Sequence, residues 1–353
     1  MRHCVSPPFF LLAFGILGMG FVASAQGAGD EAVLTDLSNP GYHSKPEWFK
    51  NSFLDIREDV AEAAADGKRL ILYFYQDGCP YCEKLLRENF GDRETVVATR
   101  DGFEVIAINM WGDREVTGLD GEPATEKDFA AQLGVQYTPT MLLLDEQGLT
   151  VLRIDGYFPP HQFHQGLRYV SLKREQAGES FPDFYRRQQT SAATGRLHQE
   201  SGFLTPPFRL AGNRAKTQRP LVVMFEQPVC AACDELHQDI LNRDAVADSL
   251  ARFDGAVIDV FSADSIQTPD GRELPIRDWS NELGIIYTPS LVFFDDEGNE
   301  VFRTEAYLKA FHIQGALDYV ASGAYRTEPS FQRFLQDRTA ELQAQGVEID
   351  MMK

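Results

Sequence analysis

Cysteine is scarce in this sequence, five residues in 353, and none is placed to act as a structural staple. Cys4 sits in the N-terminal segment, and the other four fall as two tight pairs, Cys79-Pro80-Tyr81-Cys82 and Cys230-Ala231-Ala232-Cys233. A disulfide that serves stability normally joins residues far apart, because closing a long loop constrains the unfolded chain more than closing a short one. Loops this small point to redox chemistry instead. Basic side chains also fall short, with 33 Lys plus Arg against 53 Asp plus Glu, a formal charge of −20 and a pI near 4.7. Such a surface repels nucleic-acid backbones and anionic membranes, so no nucleic-acid partner is expected. No apolar run is long enough for a comfortable membrane span: Phe9 to Val22 is too short, and no later stretch qualifies.

What is present excludes disorder and fibre. Hydrophobic residues make up 43% and charged residues 24% of the chain, and its length suggests about two domains. Arg2 and His3, the apolar stretch and the triplet Ala23-Ser24-Ala25 have the layout of a secretory signal peptide cleaved after Ala25. Residues 1–25 are thus expected to be a leader and the rest periplasmic or secreted; an uncleaved N-terminal anchor is the alternative. Cys4 lies ahead of the apolar segment instead of at its end, which argues against a lipid anchor.

The two cysteine pairs belong to an internal repeat of about 150 residues. Leu133-Gly134 and Tyr137-Thr138-Pro139 recur as Leu283-Gly284 and Tyr287-Thr288-Pro289, Asp145 and Gly148 as Asp295 and Gly298, and Ser180-Phe181 as Ser330-Phe331. Units this large are domains with their own cores, not solenoid repeats. The expected limits are 26–190 for the first domain, 191–204 for a polar linker and 205–353 for the second. In repeat one the apolar spacing predicts a helix over Trp48 to Ala65, a buried strand at Leu70 to Tyr75, and a helix opened by Cys79. A second strand follows at Phe103 to Met110, then a short helix at Glu126 to Leu133, a hairpin at Met141 to Ile154, and a helix from about Pro160 to Leu172. Repeat two copies that order from Leu221, but Thr205-Pro206-Pro207 cannot sit inside a helix, so its start is expected to be extended or rearranged.

A buried strand running into C-x-x-C at a helix start, followed by a Thr-Pro before an apolar hairpin strand, resembles the thioredoxin fold. The resemblance covers roughly residues 45–190 and again 205–340. It implies an α/β protein of two tandem thioredoxin-like domains, each a central mixed sheet flanked by helices. Repeat one is similar to the SoxW-type periplasmic thioredoxins through Asp77-Gly78-Cys79-Pro80-Tyr81-Cys82, Asn109-Met110-Trp111-Gly112-Asp113, Thr138-Pro139-Thr140 and Gly156-Tyr157. Thr138 and Thr288 before the prolines resemble the periplasmic isomerase DsbC. The resemblance implies a thiol-disulfide oxidoreductase with no metal or organic cofactor. It also implies cis prolines at Pro139 and Pro289, with Thr138, Pro139, Thr288 and Pro289 binding an extended substrate strand. Cytosolic thioredoxins carry Trp before the first Cys and a buried acid six residues earlier; here those places hold Gly78 and Tyr73, and Val229 and Met224.

A cysteine at a helix start faces unpaired N–H groups and the positive end of the helix dipole, which favour its thiolate. Cys79 and Cys230 are therefore expected to attack, and Cys82 and Cys233, one turn inward, to resolve the mixed disulfide. Pro80 removes a donor and Tyr81 adds a hydroxyl near the sulfur, whereas Ala231 and Ala232 do neither, so the two sites are expected to differ in potential. Zinc shared by the two pairs would need them joined across domains, unlike the short spacing of zinc modules. Glu83 and Asp234 stand where c-type haem attachment needs His, and Gln76 and Gln227 stand where a peroxidase-type Thr would. His161, His164, His237 and Lys84 read as surface positions, Trp279 as core, and Trp111 as either a groove edge or packing. The expected partners are protein disulfide clients or small thiols, and a reductase would draw electrons from a membrane donor of DsbD type. The alternatives are an isomerase or oxidase, or a binding protein whose second domain is redox-inactive.

Overall fold

Arg69–Tyr75 is apolar at nearly every position, and in the computed structural model it forms strand β1, the buried centre of a four-stranded sheet. The structure describes residues 41–188, 195–211, 217 and 219–352. The expected leader at 1–25, with Cys4, and residues 191–194 of the expected linker lie outside them. β1 pairs in parallel with β2 (Phe103–Asn109) and antiparallel with β5 (Thr140–Leu144), which pairs antiparallel with β6 (Thr150–Asp155). The sheet order is β2-β1-β5-β6, and the second domain repeats it as β8-β7-β11-β12, from Asp254–Asp259, Leu221–Glu226, Ser290–Phe294 and Glu300–Thr304. Each domain is thus a mixed sheet flanked by helices.

A strand covered on both faces needs apolar residues on both, hence the unbroken run of β1 instead of an alternation. Its odd positions, Ile71 and Tyr73, enter one core layer with Cys79, Cys82, Phe163 and Leu167. The even positions, Leu70, Leu72 and Phe74, enter the other with Ile56, Val60 and Phe129. The first layer lies under helices α2 (Pro80–Lys84), α3 (Arg93–Gly102) and α5 (Pro160–Ser171), the second under α1 (Ile56–Ala65) and α4 (Glu126–Gln132). Each domain ends in a further helix, α6 (Phe181–Gln188) and α11 (Phe331–Ala344).

Two local expectations need correcting. The helix expected from Trp48 begins only at Ile56, because Leu54 takes a positive φ of 66° and Asp55 caps α1 by accepting from the N–H groups of Arg57 and Glu58. Residues 41–53 run instead as an irregular strap: Gly41 O accepts from Gly78 N, and Trp48 and Phe49 set their rings edge-on against Phe90. The polar excursions before the short helices are two-stranded ribbons, β3 (Glu115–Thr117) with β4 (Pro123–Thr125) and β9 (Ser265–Gln267) with β10 (Glu273–Pro275). The start of repeat two is extended, as its prolines require: Leu204 bridges Ala256, Arg209 bridges Gln267, and the Pro206–Pro207 bond is cis.

Arg69 is the charged exception in β1. Its guanidinium is buried and meets Glu146, Glu175 and the carbonyl of Val170. The Arg69 and Lys173 hydrogen bonds hold the Glu146 carboxyl down at about 2, against an ordinary value of 4.5. A depressed folded-state value stabilises the fold above the ordinary value and loses that contribution as the pH falls toward the folded one. Glu146→Gln is therefore expected to cost about 2 kcal/mol at pH 7, allowing for partial exposure, and almost nothing near pH 2. Urea unfolding of both proteins across that range measures it; an equal deficit at both ends would refute the linkage.

Candidate active site

β1 ends at Tyr75, and the chain turns through Asp77 and Gly78 so that Cys79, itself extended, caps the N-terminus of α2. Its Sγ accepts from Cys82 N at 3.0 Å, the place an Asp or Ser oxygen fills in an ordinary helix cap. Both sulfurs are buried and joined as a disulfide. The Thr138–Pro139 bond is cis, and this element abuts the leading sulfur: Thr138 Oγ1 donates to Cys79 Sγ at 3.3 Å, and the Thr138 carbonyl oxygen lies 3.5 Å from it. Pro139 O is occupied by Gly156 N at 2.7 Å, where Gly156 has a φ of 94°.

The second domain repeats this with one difference. Cys230 caps α7 (Ala231–Glu235), its Sγ accepts from Cys233 N at 3.1 Å, and it lies 3.6 Å from the carbonyl oxygen of Thr288, whose bond to Pro289 is cis. The pair is again a disulfide. Among the described contacts no hydroxyl-to-sulfur bond matches that of Thr138. The dipeptides differ: the half-buried Ala232 stands where the first domain has the buried Tyr81, and Ala231 is exposed where Pro80 is half-buried.

Six residues before the leading cysteines stand Tyr73 and Met224, both fully buried, and burial pushes the Tyr73 phenol far above its ordinary range. No acid occupies either place. The second domain nevertheless holds a buried acid one step along the same strand face: Glu226, at the end of β7, is fully buried, and its Oε1 lies 2.6 Å from His237 Nε2. His237 is therefore not the surface residue its helical position suggested. Glu200 binds its other ring nitrogen, and the carboxylates hold its pKa above the ordinary value against the opposing effect of burial. The only sequence signal was the charge that closes the apolar run Leu221–Glu226.

Other expected residues fall as follows. Lys84 is half-buried and paired with Glu88 at 2.8 Å, which in turn accepts from Tyr157 Oη. Trp111 donates from Nε1 to Gln76 at 2.6 Å, three residues before Cys79, and Arg333 of the second domain lies 5.2 Å over its ring. Trp279 is core, tilted against Phe225 and stacked on Phe294. His161 is exposed, and His164 lies 3.6 Å from Glu94.

The two Thr-Pro elements do not open onto solvent; they meet the other domain. Tyr81 Oη accepts from Lys309 N at 2.9 Å, and its ring meets His312 edge-on at 5.0 Å. Burial lowers the His312 pKa to about 4, so the ring is neutral there. Tyr307 N donates to Tyr157 O. The tyrosines before each Thr-Pro are exchanged: Tyr137 faces Phe331 of α11 at 6.4 Å, and Tyr287 packs on Phe158 at 4.8 Å within the first domain's core layer. Between Tyr81, Thr138, Tyr157, Leu308, His312 and Phe331 remains a cavity of about 20 Å³, room for one water. In this arrangement side chains of the second domain, among them Leu308, His312 and Phe331, cover Thr138.

A family model of the thioredoxin-like domain matches the chain twice, over residues 56–171 and 212–321. The chain belongs to that family, with two copies in tandem. No curated protein sequence matches it. Among solved structures it is similar to a thioredoxin-fold protein from Helicobacter pylori, at 23% identity over 39% of this chain and 92% of that one, with a TM-score of 0.31. A thioredoxin from Thermus thermophilus matches at 23% identity over 39% and 95%, with a TM-score of 0.28. A disulphide isomerase from Xylella fastidiosa Temecula1 matches at 13% identity over 38% and 99%, with a TM-score of 0.25.

Two outcomes follow from this geometry. A hydrogen bond to a charged acceptor contributes about 1.5–3 kcal/mol, so Thr138→Val is expected to slow alkylation of reduced Cys79 at neutral pH by about ten-fold. Thr288→Val should change Cys230 reactivity by less than about two-fold, and equal effects at both sites would rule out the hydroxyl as the cause. Tyr287→Ala removes a ring from the domain interface and is expected to cost about 3–5 kcal/mol. It should speed labelling of reduced Cys79 by a bulky maleimide while leaving a small alkylating reagent unaffected.

Proposed function

We propose that the protein is an exported, periplasmic thiol-disulfide oxidoreductase in which both cysteine pairs cycle, acting on disulfides of proteins or small thiols. The observation that carries this is the shared cap geometry: each leading sulfur sits at a helix N-terminus and accepts the N–H of its own resolving cysteine. That N–H and the helix dipole favour a thiolate on Cys79 and Cys230. In the forward step the thiolate attacks a client disulfide, one client sulfur leaves as thiolate, and a mixed disulfide forms. Cys82 or Cys233, once deprotonated, then attacks the protein sulfur, closing the internal disulfide and releasing the second client sulfur. Two electrons pass to the client, and a membrane donor of DsbD type would restore the dithiol. The reducing direction rests on the SoxW-type likeness of the first motif, and the threonines before the prolines carry the DsbC-like feature.

Thr138, Pro139, Thr288 and Pro289 serve as client-binding elements in this reading once the domain contact that covers them opens, and the proposed domain limits are 26–190 and 205–353 around a linker at 191–204. The deciding measurement equilibrates the oxidised protein in graded thiol-disulfide buffers and reads each pair by alkylation and mass spectrometry. A reductase is expected to give potentials near roughly −270 mV at both pairs, whereas values near roughly −120 mV would make it an oxidant or isomerase. A Cys230–Cys233 pair that never titrates would leave the second domain as a binding module.

A further inference from the structure

The cluster around Glu226 has an order that the redox reaction does not require. Two histidines converge on one fully buried carboxylate, and each is held from behind by another. His237 presents Nε2 to Glu226 Oε1 at 2.6 Å while its Nδ1 lies 2.5 Å from Glu200 Oε1. His198 presents Nδ1 to Glu226 Oε2 at 3.5 Å while its Nε2 lies 3.1 Å from Asp234 Oδ1. A carboxylate only accepts, so Glu200 and Asp234 each draw the proton of one ring nitrogen and leave the other nitrogen aimed at Glu226. This is the outer-shell pattern that orients metal-binding imidazoles. Glu226 Oε2 and His198 Nδ1 are buried without a hydrogen-bond partner, and they face each other. Leaving a buried carboxylate oxygen unpaired is costly unless something else compensates its charge.

The geometry points to a divalent transition-metal site of the zinc class, ligated by His198 Nδ1, His237 Nε2 and Glu226. One ligand atom from each of the three residues lies within 4.8 Å of the others. Bonds of roughly 2.0–2.2 Å in a tetrahedral site put neighbouring ligand atoms about 3.3 Å apart, close to the spacing of the unpaired pair. Two imidazoles and a carboxylate form a ligand set zinc accepts, with a fourth position left for water. Zinc displaces the proton shared by His237 Nε2 and Glu226, which leaves to solvent. The two rings now lie parallel, 4.4 Å between centroids, so no single point is in both planes. Metal capture therefore turns the ring of His198, which is 18% exposed on the irregular segment 195–204, while His237 stays fixed on its helix by Glu200. No short motif announces the set, because its members come from the irregular segment 195–204, the strand β7 and the turn of helix after Cys233; the thiols take no part.

The test titrates Zn²⁺ into the full-length protein with both pairs oxidised and the remaining thiol alkylated, followed by calorimetry and zinc-edge X-ray absorption. One equivalent is expected, at a Kd of about 10 μM or tighter, with nitrogen and oxygen but no sulfur in the first shell. His198→Ala and Glu226→Gln are each expected to weaken binding by at least about 30-fold, and Glu200→Gln by about ten-fold. If Glu226→Gln fails to fold, His198→Ala, on an irregular segment, still decides the matter. No binding at about 100 μM Zn²⁺, sulfur in the first shell, or wild-type affinity in His198→Ala would overturn the site and leave the cluster as a proton-holding network.

Discussion

Each domain depends on how one strand hands over to one helix. A strand buried on both faces delivers the chain to a point inside the protein, where the next helix begins with N–H groups that have no partner of their own. One of these needs, at the third residue of the helix, is met by sulfur. Cys79 and Cys230 therefore hold two roles that cannot be separated: they close the helix, and they are placed where the backbone most favours a negative charge on sulfur. The neighbouring Thr-Pro element sits against the same atom because β5 and β11 pair with the strands that lead into the caps.

From that shared plan the two domains diverge in what surrounds the sulfur. The first adds a hydroxyl from Thr138 and a tyrosine ring, and places Tyr73 and Tyr75 on the strand face beneath. The second has Ala232 in place of that ring and sets a charged cluster at the end of the same strand face, built on Glu226 and His237. Tyr75 and Glu226 occupy corresponding strand ends: a cation–π contact with Lys45 serves one, and ion pairs with histidine serve the other. The duplicated scaffold thus carries two electrostatic settings for the same chemistry.

What could be read from residues alone was whatever is local. The strands stood out because runs such as Leu-Ile-Leu-Tyr-Phe need no distant partner to be recognised, and the C-x-x-C and Thr-Pro elements are short enough to be quoted. The first helix was misjudged at its start because Trp48, Phe49 and Phe53 have helical spacing by coincidence. In the folded chain Phe53 is fully exposed, while Trp48 and Phe49 pack sideways on Phe90. His237 looked like a surface residue because the acids that hold it, Glu200 and Glu226, come from other elements. The covering of Tyr81 by Lys309 and His312 joins residues more than two hundred positions apart, and no periodicity encodes it.

The exchange of Tyr137 and Tyr287 across the interface, with Tyr157 and Tyr307 meeting backbone to backbone between them, has the form of an isologous contact. The same patch on each repeat faces its counterpart, as in a two-fold dimer whose subunits have been spliced into one polypeptide. Covalent linkage makes that pairing independent of concentration and ensures that a CPYC centre is always matched with a CAAC centre, a stoichiometry that separate subunits would leave to chance.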